Sequence, residues 1–386
     1  MKYRRICIVL TARGNYAKLK SVIEEILAEP SLQLQVIVGG SLVLDKYGKI
    51  LEDKESLEIP ISYVTNFVIE GENPLTMAKS AGLAVTEFAT AFEQLKPDVV
   101  VVLADRFECL SIAMAAVYLN IVVAHLEGGE LTGSIDESVR HAITKLAHIH
   151  FPASLDAAER IARLGEDESN IFHVGSSSLD TLKRLDLLDL RVVDDYKKQH
   201  GVGKIDSLTA QNYLLVVFHP VTTEYLANYE NVKQCIDAVK KITMPTIWIW
   251  PNMDAGSDGV SKAIREFRES GEAGDVYFFK SMPIEVFGAV LNNAGCVLGN
   301  SSCGIRESAF LGTPSVNIGN RQRGRHRAKN VIDVRYNSLE IVEAVNKQIV
   351  HGPYEQDNSY GNGGTAKQIV KILSNITVSQ QKTNSF

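Results

Sequence analysis

Short apolar runs at 6–10 (ICIVL), 34–38 (LQVIV), 99–103 (VVVVL), 121–124 (IVVA) and 171–174 (IFHV) are separated by amphipathic stretches such as 17–27. Runs of this length, alternating with helical periodicity, read as strands of a parallel sheet with helices on both faces. After a charged, Leu- and Asp-rich stretch at 182–206 the pattern restarts, with apolar runs at 213–218, 246–250, 276–279, 296–298 and 315–318. The predicted fold class is α/β: two Rossmann-like, doubly wound domains, 1–180 and 181–365, facing each other across a central cleft. Open sheets of this kind bind ligands beyond the carboxyl ends of their strands, so the chemistry is expected where the apolar runs stop.

A length of 386 residues suits two cores better than one. With 45% hydrophobic residues, 22% charged residues and a formal net charge of -6, the chain is an ordinary globular one without a nucleic-acid footprint. The apolar run at 6–10 is too short for a signal-peptide core or a membrane span, which points to the cytoplasm. Five cysteines with no CxxC pair indicate neither a disulfide framework nor a zinc knuckle. The polar tail at 377–386 is expected to be disordered.

Five strand ends carry candidate ligand-binding groups. The run at 296–298 leads through Gly299 and Asn300 into Ser301, Ser302 and Gly304, where a helix is expected to begin. Free amides, two hydroxyls and a glycine there suit a phosphate, although a serine at that position also serves as a plain helix cap. Glu307, in the same helix, cannot attract a phosphate and is suited to accepting hydrogen bonds from vicinal ribose hydroxyls. Arg321, Arg323 and Arg325 follow the next strand and offer bidentate contacts, or a solvated basic loop. Arg13, at the end of the first strand, is either a diphosphate ligand or a surface ion-pair partner. His219, beyond the run at 213–218, could donate to a phosphate, act as a general acid or be structural. Asn252 ends the next strand in a turn. TARGNY at 11–16 is not GxGxxG, which disfavours a dinucleotide site.

The densest group of acids lies in AHLEGGELTGSIDESVR at 124–140, with Asp105 and Arg106 arriving at the end of the neighbouring strand. Glu127, Glu130, Asp136 and Glu137 surround a glycine pair there. Ser134 to Glu137 fits a capping box. Asp136 then falls in a first helical turn that favours its ionised form, or pairs with Arg140 four residues on. His148 and His150 alternate as on a strand and lack further ligands for a metal.

TARGNY (11–16), ADRFE (104–108), the segment 125–150, HPVTTE (219–224), WPNMDAGS (250–257) and GNSSCGIRE (299–307), in this order, resemble the hydrolysing UDP-N-acetylglucosamine 2-epimerases. These include bacterial sialic-acid pathway enzymes and the epimerase part of the bifunctional animal epimerase/kinase. The likeness runs from the first strand to about Arg327. It implies a GT-B-like architecture with a UDP-sugar in the cleft, a C-terminal helix at 366–376 packing back on the first domain, a homodimer or homotetramer, and epimerase activity alone, without a kinase. It implies no cofactor and no metal.

The reaction implied is elimination of UDP to 2-acetamidoglucal, then hydration with inversion at C2 to give N-acetylmannosamine. Asp105, Glu127 and Asp136 match the family's acids, with His219 beside them. Arg13, Arg106, His219, Asn252, Ser281, Ser301, Ser302, Gly304, Glu307 and Arg321 make up the expected UDP site. A similar enzyme could take UDP-2,4-diacetamido-2,4,6-trideoxyglucose instead. A GT-B glycosyltransferase or a UDP-sugar sensor would use the same cradle but leave the acids unexplained.

Overall fold

A computed structural model describes residues 3–44, 59–203 and 208–383; the last residues of the 182–206 stretch and of the tail lie outside that range. The first sheet comprises β1 (Arg4–Leu10), β2 (Leu32–Val38), β3 (Tyr63–Val64), β4 (Val99–Leu103), β5 (Val122–Leu126) and β6 (Ile149–Phe151). The second comprises β7 (Gly201–Val202), β8 (Leu214–Val217), β9 (Thr246–Ile249), β10 (Val276–Phe279), β11 (Cys296–Gly299), β12 (Ser315–Ile318) and β13 (Val331–Val334).

The first sheet is ordered β3-β2-β1-β4-β5-β6 and the second β13-β12-β11-β8-β9-β10-β7. Every pairing is parallel except β10 with β7 at an edge. Both are doubly wound, so strand order reverses between β1 and β4 and between β8 and β11. All five residues of β4 and all four of β8 are buried, as strands covered on both faces must be.

The run at 171–174 is not a strand: Ile171 makes only an isolated bridge to His150. Its alternation stops at once, and the chain turns into Gly175. Short edge strands β3, β7 and β13 carry too few buried residues to announce themselves in the sequence.

The helix Thr365–Asn375 packs against the helix Arg13–Ala28. Ala366, Ile369, Val370 and Leu373 enter the same core as Leu19 and Ile23. Its free N-terminal amides are capped across 185 residues, Thr365 N and Ala366 N donating to the Asp180 carboxylate at 3.0 and 2.6 Å. The tail beyond it departs from the expected disorder. Val378 packs on the first core, Gln380 O accepts from His148 Nε2 at 3.1 Å, and Lys382 Nζ lies 2.6 Å from buried Glu166. One apolar side chain and one cation with a buried partner anchor a segment whose average composition is polar.

Candidate active site

The candidate residues follow the carboxyl ends of the strands at the two switch points and of their neighbours β5, β9, β10 and β12. Beyond β4, Ala104 takes a left-handed φ of 59°, and beyond β5, Glu127 takes 58°, uncommon for residues other than glycine. Ala104 N donates to Leu126 O and Glu127 N to Phe151 O, so the sheet itself holds both kinks. His125 Nε2 donates to Ala104 O at 2.8 Å; burial lowers its pKa to about 3, which keeps it neutral. The glycine pair then turns the chain away: at Gly129 (φ 78°) a Cβ would stand 2.3 Å from Ala157 O.

Glu127 is only 3% exposed. Its Oε2 pairs with Lys18 Nζ at 2.8 Å and Arg306 Nη1 at 2.6 Å, and its Oε1 accepts from Ser176 Oγ at 2.9 Å. Burial pushes this carboxyl up, but Arg306 and Lys18 outweigh it and hold it well below the usual range. Arg306 also stands 3.5 Å from Glu130, whose other oxygen meets Arg325 Nε at 3.2 Å. Asp105 pairs with Arg140, which donates from Nη1 to Glu130 O at 2.7 Å. Three carboxylates thus meet three guanidiniums and a lysine between the domains, the cations outnumbering the acids by one.

Asp136 does not pair with Arg140, which faces inward and is fully buried. Its carboxyl is shifted up, by burial and then by Asp254, against the opposing Arg321, Ser134 and Arg106. Burial and Asp254 thus act against the first-turn dipole at this carboxyl. Glu137 forms no capping box with Ser134: the helix Asp136–Leu146 begins after Ile135, and Glu137 Oε2 accepts from Thr132 N at 2.8 Å. It still satisfies backbone, one turn earlier.

Across the cleft, Asn300 ties the ends of β8 and β11 together. Its Oδ1 accepts from His219 N at 2.7 Å and its Nδ2 donates to His219 O at 2.8 Å. His219 Nδ1 accepts from Asn252 N at 3.4 Å, leaving Nε2–H as a donor. Burial and then Arg321 lower its pKa to about 3, so His219 stands here as a neutral donor. Asn252 Nδ2 donates to Asp254 Oδ2 at 2.6 Å, and Asp254 Oδ1 lies 3.2 Å from Arg106 Nη1 of the first domain. Arg321 Nη1 donates to Asn300 O at 3.2 Å.

The helix expected to begin here opens as a single 3-10 turn, Ser302–Gly304, and continues as the short helix Glu307–Leu311. Ser301 Oγ accepts from Cys303 N at 3.4 Å, a cap. Gly304 is required by packing, because a Cβ would come 2.8 Å from Ser315 Oγ of β12. Glu307 is buried; Ser178 Oγ donates to its Oε1 at 2.8 Å, and its Oε2 has no hydrogen-bond partner among the described residues. Arg323 is exposed, and Arg325 serves the acids.

Arg13 and Ser281, from opposite domains, line one cavity of about 930 Å³ with Tyr16, Lys20, Met282 and Pro283. The other candidates fall into two groups: Glu127 beside Glu307, and Asp136 with Arg106, His219, Asn252 and Arg321. Sequence reasoning gave no role to Lys18, Arg306 or Asp254, and offered Arg140 only as a partner for Asp136. Lys18 follows Arg13 in one helix and Arg306 precedes Glu307, so adjacency to a candidate was the available signal. Among the described residues, no group of three or more His, Cys, Asp or Glu side chains is placed to hold a metal ion, and no helix is long and apolar enough to cross a membrane.

Two doubly wound domains with their switch points facing each other make this a GT-B-like two-domain α/β protein. The chain belongs to the UDP-N-acetylglucosamine 2-epimerase family, whose model matches residues 24–374. It is 30% identical over 375 residues to the UDP-N-acetylglucosamine 2-epimerase of Neisseria meningitidis serogroup B, covering 96% of this chain and 95% of that one. It is 31% identical over 381 residues to the UDP-N,N'-diacetylbacillosamine 2-epimerase (hydrolyzing) of Legionella pneumophila, covering 99% and 98%. The crystal structure of Methanocaldococcus jannaschii UDP-GlcNAc 2-epimerase in complex with UDP-GlcNAc and UDP superposes with a TM-score of 0.78 at 20% identity, over 96% of this chain and 99% of that one.

Proposed function

We propose that this chain is a hydrolysing 2-epimerase of a UDP-2-acetamido sugar, with UDP-N-acetylglucosamine as substrate and N-acetylmannosamine and UDP as products. The observation that carries the reading is the placing of two carboxyls, Glu127 and Asp136, beyond the end of the same strand β5, facing the cleft between the domains, the first gripped by Arg306 and Lys18 and the second shifted up by burial and Asp254. In the elimination the C1–O bond breaks and UDP leaves with the electron pair, while C2 loses its proton. In the hydration the hydroxyl of water joins C1 and a proton returns to C2 on the opposite face. Positive charge at the anomeric carbon is stabilised by an ionised carboxylate such as Glu127, and a protonated Asp136 can return a proton. Asp105 completes the acidic wall. Arg13, Arg106, Ser281, Ser301, Ser302, Glu307 and Arg321 hold the UDP, with Asn252 and the neutral Nε2–H of His219 beside the diphosphate.

A second reading takes UDP-2,4-diacetamido-2,4,6-trideoxyglucose as substrate. It is favoured by a cavity of about 290 Å³ whose lining includes Val68, Ile69, Met77, Phe107, Met253 and Ala255 beside the polar Glu70, Glu72, Thr76 and Ser80. The apolar part of that lining suits a methyl at C6, and its polar part suits a second acetamido group. Incubation with each sugar nucleotide in deuterated water, followed by NMR, tests both readings. Free 2-epimerised sugar with deuterium at C2 is expected; recovery of both substrates unchanged would overturn the assignment, and the ratio of the two rates selects the substrate.

A further inference from the structure

We propose that Ser176 and Ser178 are positioning residues that connect the ribose site at Glu307 to the carboxylate of Glu127, so that binding the nucleoside sets the catalytic group in the other domain. The proposal rests on the functional reading above and adds a role for the nucleoside beyond anchoring.

Four oxygens form an unbroken line. Ser176 Oγ donates to Glu127 Oε1 at 2.9 Å, Ser176 Oγ and Ser178 Oγ are 3.0 Å apart, and Ser178 Oγ donates to Glu307 Oε1 at 2.8 Å. All four residues are buried, so water does not compete for these contacts. A serine hydroxyl supplies one proton. Three contacts therefore share two protons, and with both directed outward to the carboxylates, the central contact holds none. Glu307 Oε2 is buried and has no hydrogen-bond partner among the described residues, which leaves it open to a ribose hydroxyl.

A hydroxyl donating to Glu307 weakens its hold on the Ser178 proton. That proton can then turn to Ser176, and the strengthened Ser176 hydroxyl fixes Glu127, as chained hydrogen bonds polarise one another. Arg306, the residue before Glu307, holds the other oxygen of Glu127 at 2.6 Å. Neighbouring residues of the nucleotide loop thus grip both oxygens of one carboxylate, one directly and one through the serines.

The test crosses Ser178→Ala with the 2',3'-dideoxyuridine analogue of whichever UDP-sugar the wild type turns over, reading kcat and KM. Ser178→Ala is expected to lower kcat about tenfold with KM changed less than about twofold, and Ser178→Thr to restore kcat. The analogue should lower wild-type kcat about tenfold and Ser178→Ala kcat no further. Ser176→Ala, which cuts the same line elsewhere, should give the same pattern. Losses that multiply to about a hundredfold when combined would overturn the relay while leaving the epimerase reading intact. Absence of wild-type turnover of both UDP-sugars would overturn that reading and the relay with it.

Discussion

Glu127 and Asp136 lie nine positions apart in one motif, yet their surroundings drive their protons in opposite directions. Two cations grip Glu127, whereas Asp136 faces Asp254 in a buried setting. Glu127→Gln keeps the shape and the acceptor for Ser176 but removes the charge. It should cut turnover at least about a hundredfold while changing UDP affinity less than about threefold, as steady-state kinetics beside UDP calorimetry would reveal. His219 gives a pH prediction. Its folded pKa is near 3, so the folded protein keeps it neutral while the unfolded chain protonates it below about pH 6.5. Its contribution to stability is complete above that value and drains away as the pH falls toward 3. Thermal melts of His219→Gln between neutral and about pH 4.5 should therefore show a shallower decline than wild type. His125, shifted the same way, keeps part of the slope in both. The residue types were legible in the sequence because each follows an apolar run. Their protonation was not, since it depends on groups such as Arg321, 102 residues from His219.

At the scale of elements, the strands that could be read are those with continuous buried runs, complete in β4 and β8 and nearly so in β1 and β5. The mistaken strand at 171–174 (IFHV) carries an exposed histidine and has a bridge on one side alone, from Ile171 to His150. The glycine pair after Glu127 was visible as a motif, and its reason is steric. Gly129→Ala would force a Cβ toward the Ala157 carbonyl at a φ of 78°. We expect a cost of about 1–3 kcal/mol in denaturant melts, with turnover lowered because the turn carries Glu127. The helix Thr365–Asn375 owes its docking partly to a cap from a distant aspartate. Asp180→Ala should cost about 0.5–2 kcal/mol and raise amide exchange in that helix first.

At the scale of the whole molecule, the domains meet through ion pairs of two kinds. Lys20 pairs with Glu285 near the surface, while Arg306 lies 2% exposed between Glu127 and Glu130. Removing Arg306 leaves buried carboxylates without their partner, so Arg306→Met should lose about 3–5 kcal/mol in equilibrium unfolding. Glu285→Gln should change stability by less than about 1 kcal/mol, because solvent already screens that pair. Similar losses for the two variants would mean that the interdomain cluster is screened like a surface.

The sequence by itself determined the two doubly wound sheets and the position of nearly every candidate at a strand end, because burial on both faces and strand-to-helix turns are written in neighbouring residues. The tertiary structure alone decided which carboxylate meets which cation, which way each acid is shifted, and that Glu307 reaches Glu127 through two serines. Those contacts join residues 49, 129 and 179 positions apart. Their energies depend on burial and on distances of a few ångströms, and the folded chain alone creates both.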